Sequence, residues 1–100
     1  EMNFGDWEMK NFYEISDPRL KEWYADYINV PATNGESFAI QYQRVASFLD
    51  ELREKNYEKV AIFAHGGVLI CAQLYAGAIK LEEAFSALTP YGGIIQLKFD

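Results

Sequence analysis

A short apolar run that ends in a histidine and two glycines is the feature that most constrains this sequence. Residues 59–64 read KVAIFA, and His65, Gly66 and Gly67 follow directly. A short run that is rich in β-formers and apolar on both faces is typical of a buried parallel strand. The glycines then favour a sharp turn, and the mostly apolar stretch 68–79 predicts a helix that is covered on both sides. A strand, a turn and a helix in this order indicate an α/β fold.

The rest of the chain supplies helices and one more strand. Asp17-Pro18 starts a predicted helix over about 18–27, because Asp caps a helix and Pro fits its first turn. Ser37 is a candidate N-cap for the clearest helix, which is expected to stop at Asn56 and to carry Arg44 on its outer face. The remaining predictions are a loop passing into a short helix at 1–15, a turn-rich loop at 30–35, a short helix at 81–88, a turn at 89–93 and a strand at 94–99.

Size and composition limit the architecture. One hundred residues allow one domain. Because 50% of the residues are hydrophobic and 16% are aromatic, the chain is not expected to be disordered. Two strands make a poor sheet by themselves, so the chain is expected to be part of a larger sheet. The sequence also opens on Glu1 without an initiator Met, which favours a truncated or cleaved fragment.

Charge and special residues exclude several functions. The net charge of −6, with a pI near 4.7, argues against nucleic acid or an anionic membrane surface as a partner. The single Cys71 excludes an internal disulfide and a CxxC metal site. The first residues do not resemble a signal peptide and no apolar run is long enough to predict a membrane span, so a cytoplasmic location is expected. Apolar surface left open by an incomplete sheet would favour association of copies into a homo-oligomer.

The turn after the first predicted strand is a candidate ligand site. Ligands of open α/β sheets bind outside the carboxyl ends of strands, where His65 would lie. The backbone N–H groups of Gly66, Gly67 and Val68 would form a helix N-terminus that suits an anion. An imidazole beside it could donate to a phosphoryl oxygen or act as an acid or base. The structural alternative is a histidine that only caps the helix.

Two other segments carry candidate residues. Residues 1–9 hold carboxylates among aromatic residues, and aromatic packing can raise a carboxyl pKa enough to make a general acid. For Asp6 and Glu8 plain solvation is the favoured interpretation. At the start of the long helix, Glu36 or Ser37 could cap the helix, contribute to a binding site, or do both.

In this order the three segments resemble the histidine phosphatase superfamily, whose fold is phosphoglycerate mutase-like. The matching residues are Glu1 with Phe4-Gly5-Asp6-Trp7-Glu8, then Gly35-Glu36-Ser37, then Phe63-Ala64-His65-Gly66. The α-ribazole phosphatases of cobalamin synthesis are the closer branch. They share FGDWEM, the PATNGE loop at 31–36 and the Gln-Arg-Val continuation at 43–45. Met9 departs from the broad family, which usually has Gly there.

The resemblance implies a fold and a mechanism. The fold would be the C-terminal part of a mostly parallel sheet flanked by helices, within one domain over residues 1–100. The activity would be phosphomonoester hydrolysis through a phosphohistidine, without metal or cofactor, on a small phosphorylated metabolite such as α-ribazole 5′-phosphate. His65 would contact the phosphate, Glu1 would be the acid, and Gly66, Glu36 and Ser37 would bind substrate or line the pocket rim.

The chain departs from the family by lacking an Arg-His-Gly nucleophile motif, since its single histidine is already assigned. The 100 residues alone are therefore expected to be inactive, with the nucleophile upstream in a parent protein. Alternatives are a phosphoglycerate mutase, a broad-specificity phosphatase, or a non-catalytic phosphate-binding module. An α/β-hydrolase oxyanion loop is disfavoured because no serine lies in a Gly-x-Ser-x-Gly elbow.

Overall fold

A computed structural model describes residues 1–99 and divides them into two compact units. The first unit, residues 2–41, is called the loop unit here because most of it is irregular. The second, called the helical unit, consists of Glu1 and the chain from Tyr42 onward. Asp100, the last residue of the predicted domain, lies outside the described residues.

The loop unit contains short helical turns and one α-helix. Its 3₁₀ helices are Gly5–Trp7 and Phe12–Glu14, and helix α1 covers Arg19–Ala25. The backbone N–H of Arg19 donates to the Asp17 carboxylate at 2.9 Å. The predicted start of this helix is therefore confirmed, although the α-helix ends two residues before the expected 27.

Aromatic side chains form the core of the loop unit. Trp7 is only 3% exposed, and its ring lies edge-on to Trp23 with the centroids 5.9 Å apart. Trp23 also contacts the rings of Phe4, Phe12, Tyr24 and Tyr27. Such edge-to-face pairs add to the hydrophobic stabilisation that burial provides.

Asp17 connects this aromatic core to the loop at 30–36. Its carboxylate accepts hydrogen bonds from the Thr33 hydroxyl and from the indole N–H of Trp7, in addition to the Arg19 backbone. The Thr33 hydrogen bond, followed by the Arg19 one, lowers the pKa of Asp17 below its usual 3.8. Three donors from separate segments thus favour the ionised carboxylate.

Glycines allow the two loops of this unit to approach closely. Gly5 has φ +55°, and a Cβ there would lie 2.2 Å from the carbonyl oxygen of Thr33. A Cβ on Gly35 would lie 2.5 Å from the carbonyl oxygen of Asn3. Both positions therefore require glycine, because backbone atoms occupy the space of a side chain.

The long helix α2 covers Phe38–Glu54 and begins in the loop unit. Ser37 is its N-cap, as predicted, since its hydroxyl accepts the backbone N–H of Ile40 at 3.2 Å. Asn56, the predicted stop, adopts a left-handed conformation with φ 56°. Val45 and Leu49 on this helix are buried.

Helix α3, Gly66–Tyr75, packs against a 3₁₀ helix, Leu81–Ala87, in the helical unit. The centre of this unit holds Ile70, Cys71 and Ala84, each at most 1% exposed. Helix α3 begins two residues earlier than predicted and also ends four residues earlier than predicted. Gly77, with φ +74°, lies just beyond the end of the helix, where a left-handed residue commonly terminates one.

The predicted parallel sheet is wrong for this structure. Neither 59–64 nor 94–99 forms a strand, and no strand occurs anywhere in residues 1–99. The expectation of burial also fails, since Phe63 is 98% and Ile94 87% exposed. The physical reason is that a strand exists only with a hydrogen-bonded neighbour. A segment of apolar, β-forming residues is able to pair as a strand, but the segment itself does not provide the neighbouring strand. The helices and turns, by contrast, satisfy their backbone groups locally.

Candidate functional site

A cavity of about 410 Å³ in the helical unit contains the main candidates. Polar side chains line it at three positions, Glu1, Arg44 and His65, and the rest of the lining is apolar. The apolar lining comes from α2, α3 and the segments at 60–64 and 95–99. Its residues are Val45, Phe48, Leu49, Val60, Ile62, Phe63, Ala64, Val68, Leu69, Ala72, Ile95, Leu97 and Phe99.

The structure brings Glu1 and His65 together. A carboxylate oxygen of Glu1 lies 3.4 Å from Nδ1 of His65, and both side chains are more than half exposed. The two form an ion pair only when the imidazole carries a proton. Because Nδ1 faces Glu1, Nε2 is the ring nitrogen that can meet a bound ligand. An acid and an imidazole are thus placed at one cavity, where a proton could move to or from a reacting group.

His65 reaches this position because it precedes helix α3. Its backbone is extended, with φ −120° and ψ 163°, and its side chain makes no capping hydrogen bond. His65 is thus the N-cap residue of α3 by position, but its side chain does not cap the helix. The carbonyl of His65 still accepts the N–H of Leu69 at 3.0 Å, which is the first bond of the helix.

Gly66 has a packing constraint that the sequence did not indicate. A Cβ at this position would lie 2.7 Å from a methyl carbon of Leu88. The glycine therefore makes room for Leu88 at the start of α3, where backbone N–H groups favour an anion. The expected contact of Gly66 with substrate stays a prediction.

Glu36 and Ser37 belong to the loop unit and have local partners there. The Glu36 carboxylate accepts the backbone N–H of Asn3 at 2.8 Å, and the Glu36 N–H donates to the Asn3 carbonyl at 2.7 Å. Ser37 is 2% exposed and caps α2. Both residues thus hold loops in place, and their binding of substrate stays a prediction.

Arg44 is the site residue that sequence reasoning missed. The helical period placed it on the outer face of the long helix, whereas its guanidinium lines the cavity and donates to the backbone carbonyl of Glu1 at 2.9 Å. Its position directly before the buried Val45 was the available signal, because a long side chain at the border of an apolar stripe can bend over it.

Within residues 1–99, no group of three or more His, Cys, Asp or Glu side chains is placed to hold a metal ion. In the same part of the chain, none of the helices has the length and apolar character that crossing a bilayer requires.

A histidine paired with a carboxylate, at a cavity and before a helix N-terminus, is an arrangement suited to an anionic ligand and to proton transfer. The profile of the histidine phosphatase superfamily (branch 1) matches residues 1–100. This chain belongs to the histidine phosphatase superfamily, and the resemblance found in its motifs is confirmed.

Three curated relatives give closer comparisons. The chain is 36% identical over 73 residues to the adenosylcobalamin/alpha-ribazole phosphatase of Escherichia coli, covering 69% of this chain and 36% of the relative. The Salmonella typhimurium protein of that name is 34% identical with the same coverage. "Putative phosphoserine phosphatase 2" of Hydrogenobacter thermophilus is 27% identical over 103 residues, covering 100% of this chain and 51% of the relative.

The chain therefore spans about half, or about a third, of the length of these relatives. No solved structure matches it significantly.

Proposed function

We propose that the protein to which this chain belongs hydrolyses phosphomonoesters through a phosphohistidine. The observation that carries the proposal is the Glu1–His65 pair, with 3.4 Å between carboxylate and Nδ1, at the mouth of a cavity beside the start of α3. Family membership supports it, since the family chemistry needs a second histidine and an acid.

The proposed reaction has two steps. A nucleophilic imidazole from outside these 100 residues attacks phosphorus, and the ester oxygen leaves with a proton from Glu1. Nε2 of His65 and the first N–H groups of α3 hold the phosphoryl oxygens as negative charge develops. Water then gives a proton to the Glu1 carboxylate and attacks the phosphohistidine, which releases phosphate and regenerates both the imidazole and the acid. The 100-residue chain alone is inactive in this proposal because it holds one histidine.

The leading substrate is α-ribazole 5′-phosphate. The names of two relatives support it, at 36% and 34% identity, together with the resemblance of the FGDWEM and PATNGE segments to the α-ribazole phosphatase branch. Phosphoserine is the second candidate, because the relative named for it aligns with the whole chain. In both cases the partner is a small phosphorylated metabolite.

The test uses the full reading frame that encodes this chain. Hydrolysis of α-ribazole 5′-phosphate, phosphoserine and p-nitrophenyl phosphate is measured with EDTA and with added Mg²⁺. Activity that is insensitive to EDTA is expected, with the highest kcat/KM on α-ribazole 5′-phosphate. A requirement for Mg²⁺ would contradict the phosphohistidine route, and a preference for phosphoserine would replace the leading substrate.

Two substitutions test the assigned residues in the same protein. His65→Ala is expected to lower turnover of every ester by about 100-fold or more, since it removes a phosphoryl ligand. Glu1→Gln is expected to lower turnover mainly of esters with poor leaving groups, because these need the proton most. Glu14→Gln, at an exposed carboxylate in the loop unit, is the control. An equal loss on all esters for Glu1→Gln would make Glu1 structural.

The isolated 100 residues supply the last test. Turnover of p-nitrophenyl phosphate by this chain, abolished by His65→Ala, would show that no upstream nucleophile is needed and would overturn the two-step assignment.

A further inference from the structure

The polar lining of the cavity forms a chain of contacts. His65 faces the carboxylate of Glu1, and the backbone carbonyl of Glu1 accepts a hydrogen bond from Nη2 of Arg44. The two contacts hold Glu1 at its two ends, one at the side chain and one at the main chain. Everything else that lines the cavity is apolar. The carboxylate therefore depends on these two neighbours for its orientation within the lining.

Glu1 needs such support because little of its side chain is buried. The side chain is 64% exposed. A flexible acid reaches the leaving oxygen in only a fraction of its conformations, and misplacement by about 1 Å can lower a rate about 100-fold. A contact that fixes the main chain of Glu1 therefore acts on proton transfer.

The position of Arg44 on helix α2 suits it to hold the main chain of Glu1. It lies on α2 next to the buried Val45, so its backbone is anchored in a long helix. Its guanidinium donates at 2.9 Å to a neutral carbonyl. An always-charged, planar donor keeps this bond at every working pH. Its attachment to Glu1 is thus independent of the protonation of the acid.

We infer that Arg44 is a positioning residue for the acid Glu1 in the hydrolysis proposed above. It holds the main chain of Glu1 so that the carboxylate stays beside His65 and facing the cavity. The inference rests on the proposed function and adds a residue to it. Arg44 itself need not touch the phosphate.

The kinetic test compares two arginines of α2 in the full reading frame. Arg44→Ala is expected to lower kcat on 2-glycerol phosphate, whose leaving group is poor, by roughly 10- to 100-fold, with KM changed less than about twofold. On p-nitrophenyl phosphate the loss should stay below about threefold, because that leaving group needs little protonation. Arg44→Lys should recover part of the loss, since an ammonium can still donate one hydrogen bond.

Arg53→Ala is the matched control. Arg53 lies on the same helix and has contacts of its own, a hydrogen bond to the Tyr75 hydroxyl and a position over the Phe99 ring. Its loss should affect both esters alike or neither. Adding Arg44→Ala to Glu1→Gln should cause no further loss, because the positioned group is already gone. An equal loss on both esters, or a full additive loss in the double variant, would overturn the inference.

A second readout does not depend on activity. In the full reading frame, the ring ¹⁵N signals that disappear in His65→Ala are those of His65. At fixed pH, Arg44→Ala and Glu1→Gln should move these signals in the same direction, and Arg53→Ala should not. Arg44→Gln, which keeps most of the stem, replaces Arg44→Ala should the latter fail to fold. Unmoved signals would contradict the positioning role.

The two readouts keep the proposals distinguishable. A wild-type protein that hydrolyses none of α-ribazole 5′-phosphate, phosphoserine and p-nitrophenyl phosphate would refute the proposed function, while the ring signals would still decide whether Arg44 holds Glu1 against His65.

Discussion

The loop unit and the helical unit place their apolar residues in opposite ways. In the loop unit, Trp7 on a 3₁₀ turn is 3% exposed and Ala32 on a loop is 1% exposed. In the helical unit, the buried Leu49 and Ile70 lie on α2 and α3, whereas Phe63 and Ile94, outside the helices, are almost fully exposed. Apolar side chains on irregular backbone are thus buried at Ala32 in the loop unit and exposed at Phe63 and Ile94 in the helical unit.

The difference lies in how each backbone satisfies its hydrogen bonds. The loop unit uses side chains as partners: Glu36 accepts the N–H of Asn3, and Asp17 accepts that of Arg19. The segments at 59–64 and 94–99 hold one side chain that can accept a hydrogen bond, that of Gln96, so most of their backbone groups can be satisfied only by strand pairing or by water. An irregular region whose side chains accept its own backbone N–H groups can therefore have a more defined structure than an apolar segment without a neighbouring strand.

The sharpest test of this comparison exchanges one large aromatic residue in each unit for alanine. Trp7→Ala should lower the free energy of unfolding by about 3–5 kcal/mol, because it empties the centre of the aromatic cluster. Phe63→Ala should change it by less than about 0.5 kcal/mol, as at other exposed positions. Urea unfolding followed by far-UV circular dichroism measures both. Equal losses would show that the exposed segment contributes to the folded state.

A second pair of substitutions separates the cost of placing a side chain at a positive φ from the cost of a clash with neighbouring backbone atoms. Gly5 and Gly77 both have positive φ, but only Gly5 has backbone atoms within 4 Å of a built Cβ. Gly5→Ala should therefore cost about 3 kcal/mol or more, and Gly77→Ala about 1–2 kcal/mol from conformation alone. Chemical unfolding of the two variants gives the difference. Similar values would mean that the contact between the loops of the loop unit relaxes easily.

Local signals in the sequence explain which elements could be predicted. Asp17-Pro18, Ser37 and Asn56 specify helix ends through bonds and conformations within a few residues, and the structure has helix boundaries at each. The predicted strands failed because a strand depends on a distant partner. The end of α3 is not predictable from periodicity, because its sequence is mostly apolar. The structure ends the helix just before Gly77, which has a left-handed conformation.

The candidate site was predictable in its residue types and less so in its contacts. His65 and Glu1 were chosen from motifs and lie 3.4 Å apart. Arg44 was assigned to solvent because helical period alone does not show where a long side chain bends. The contacts of Glu36 with Asn3 and of Gly66 with Leu88 depend on the tertiary structure, and no local sequence pattern predicts them.

The smallest expected effect concerns the pH dependence of the loop unit. The pKa of Asp17 is lowered in the folded chain, chiefly by the Thr33 hydrogen bond and then by the Arg19 backbone. A carboxyl with a lowered folded pKa stabilises the fold above its unfolded pKa, here about 3.8, and that stabilisation is lost as the pH falls through the folded value. Asp17→Asn should therefore be less stable than wild type at pH 7, and the gap should narrow below about pH 4.

Urea midpoints of both proteins between pH 7 and pH 2.5 measure this gap. Glu14→Gln is the control, since it removes a carboxylate of the same unit without touching the Thr33, Arg19 or Trp7 donors. A gap that stays constant with pH would mean that Asp17 acts through its shape alone. A narrowing gap would show that ionised acceptors, the feature that distinguishes the loop unit from the exposed apolar segments, stabilise its irregular backbone.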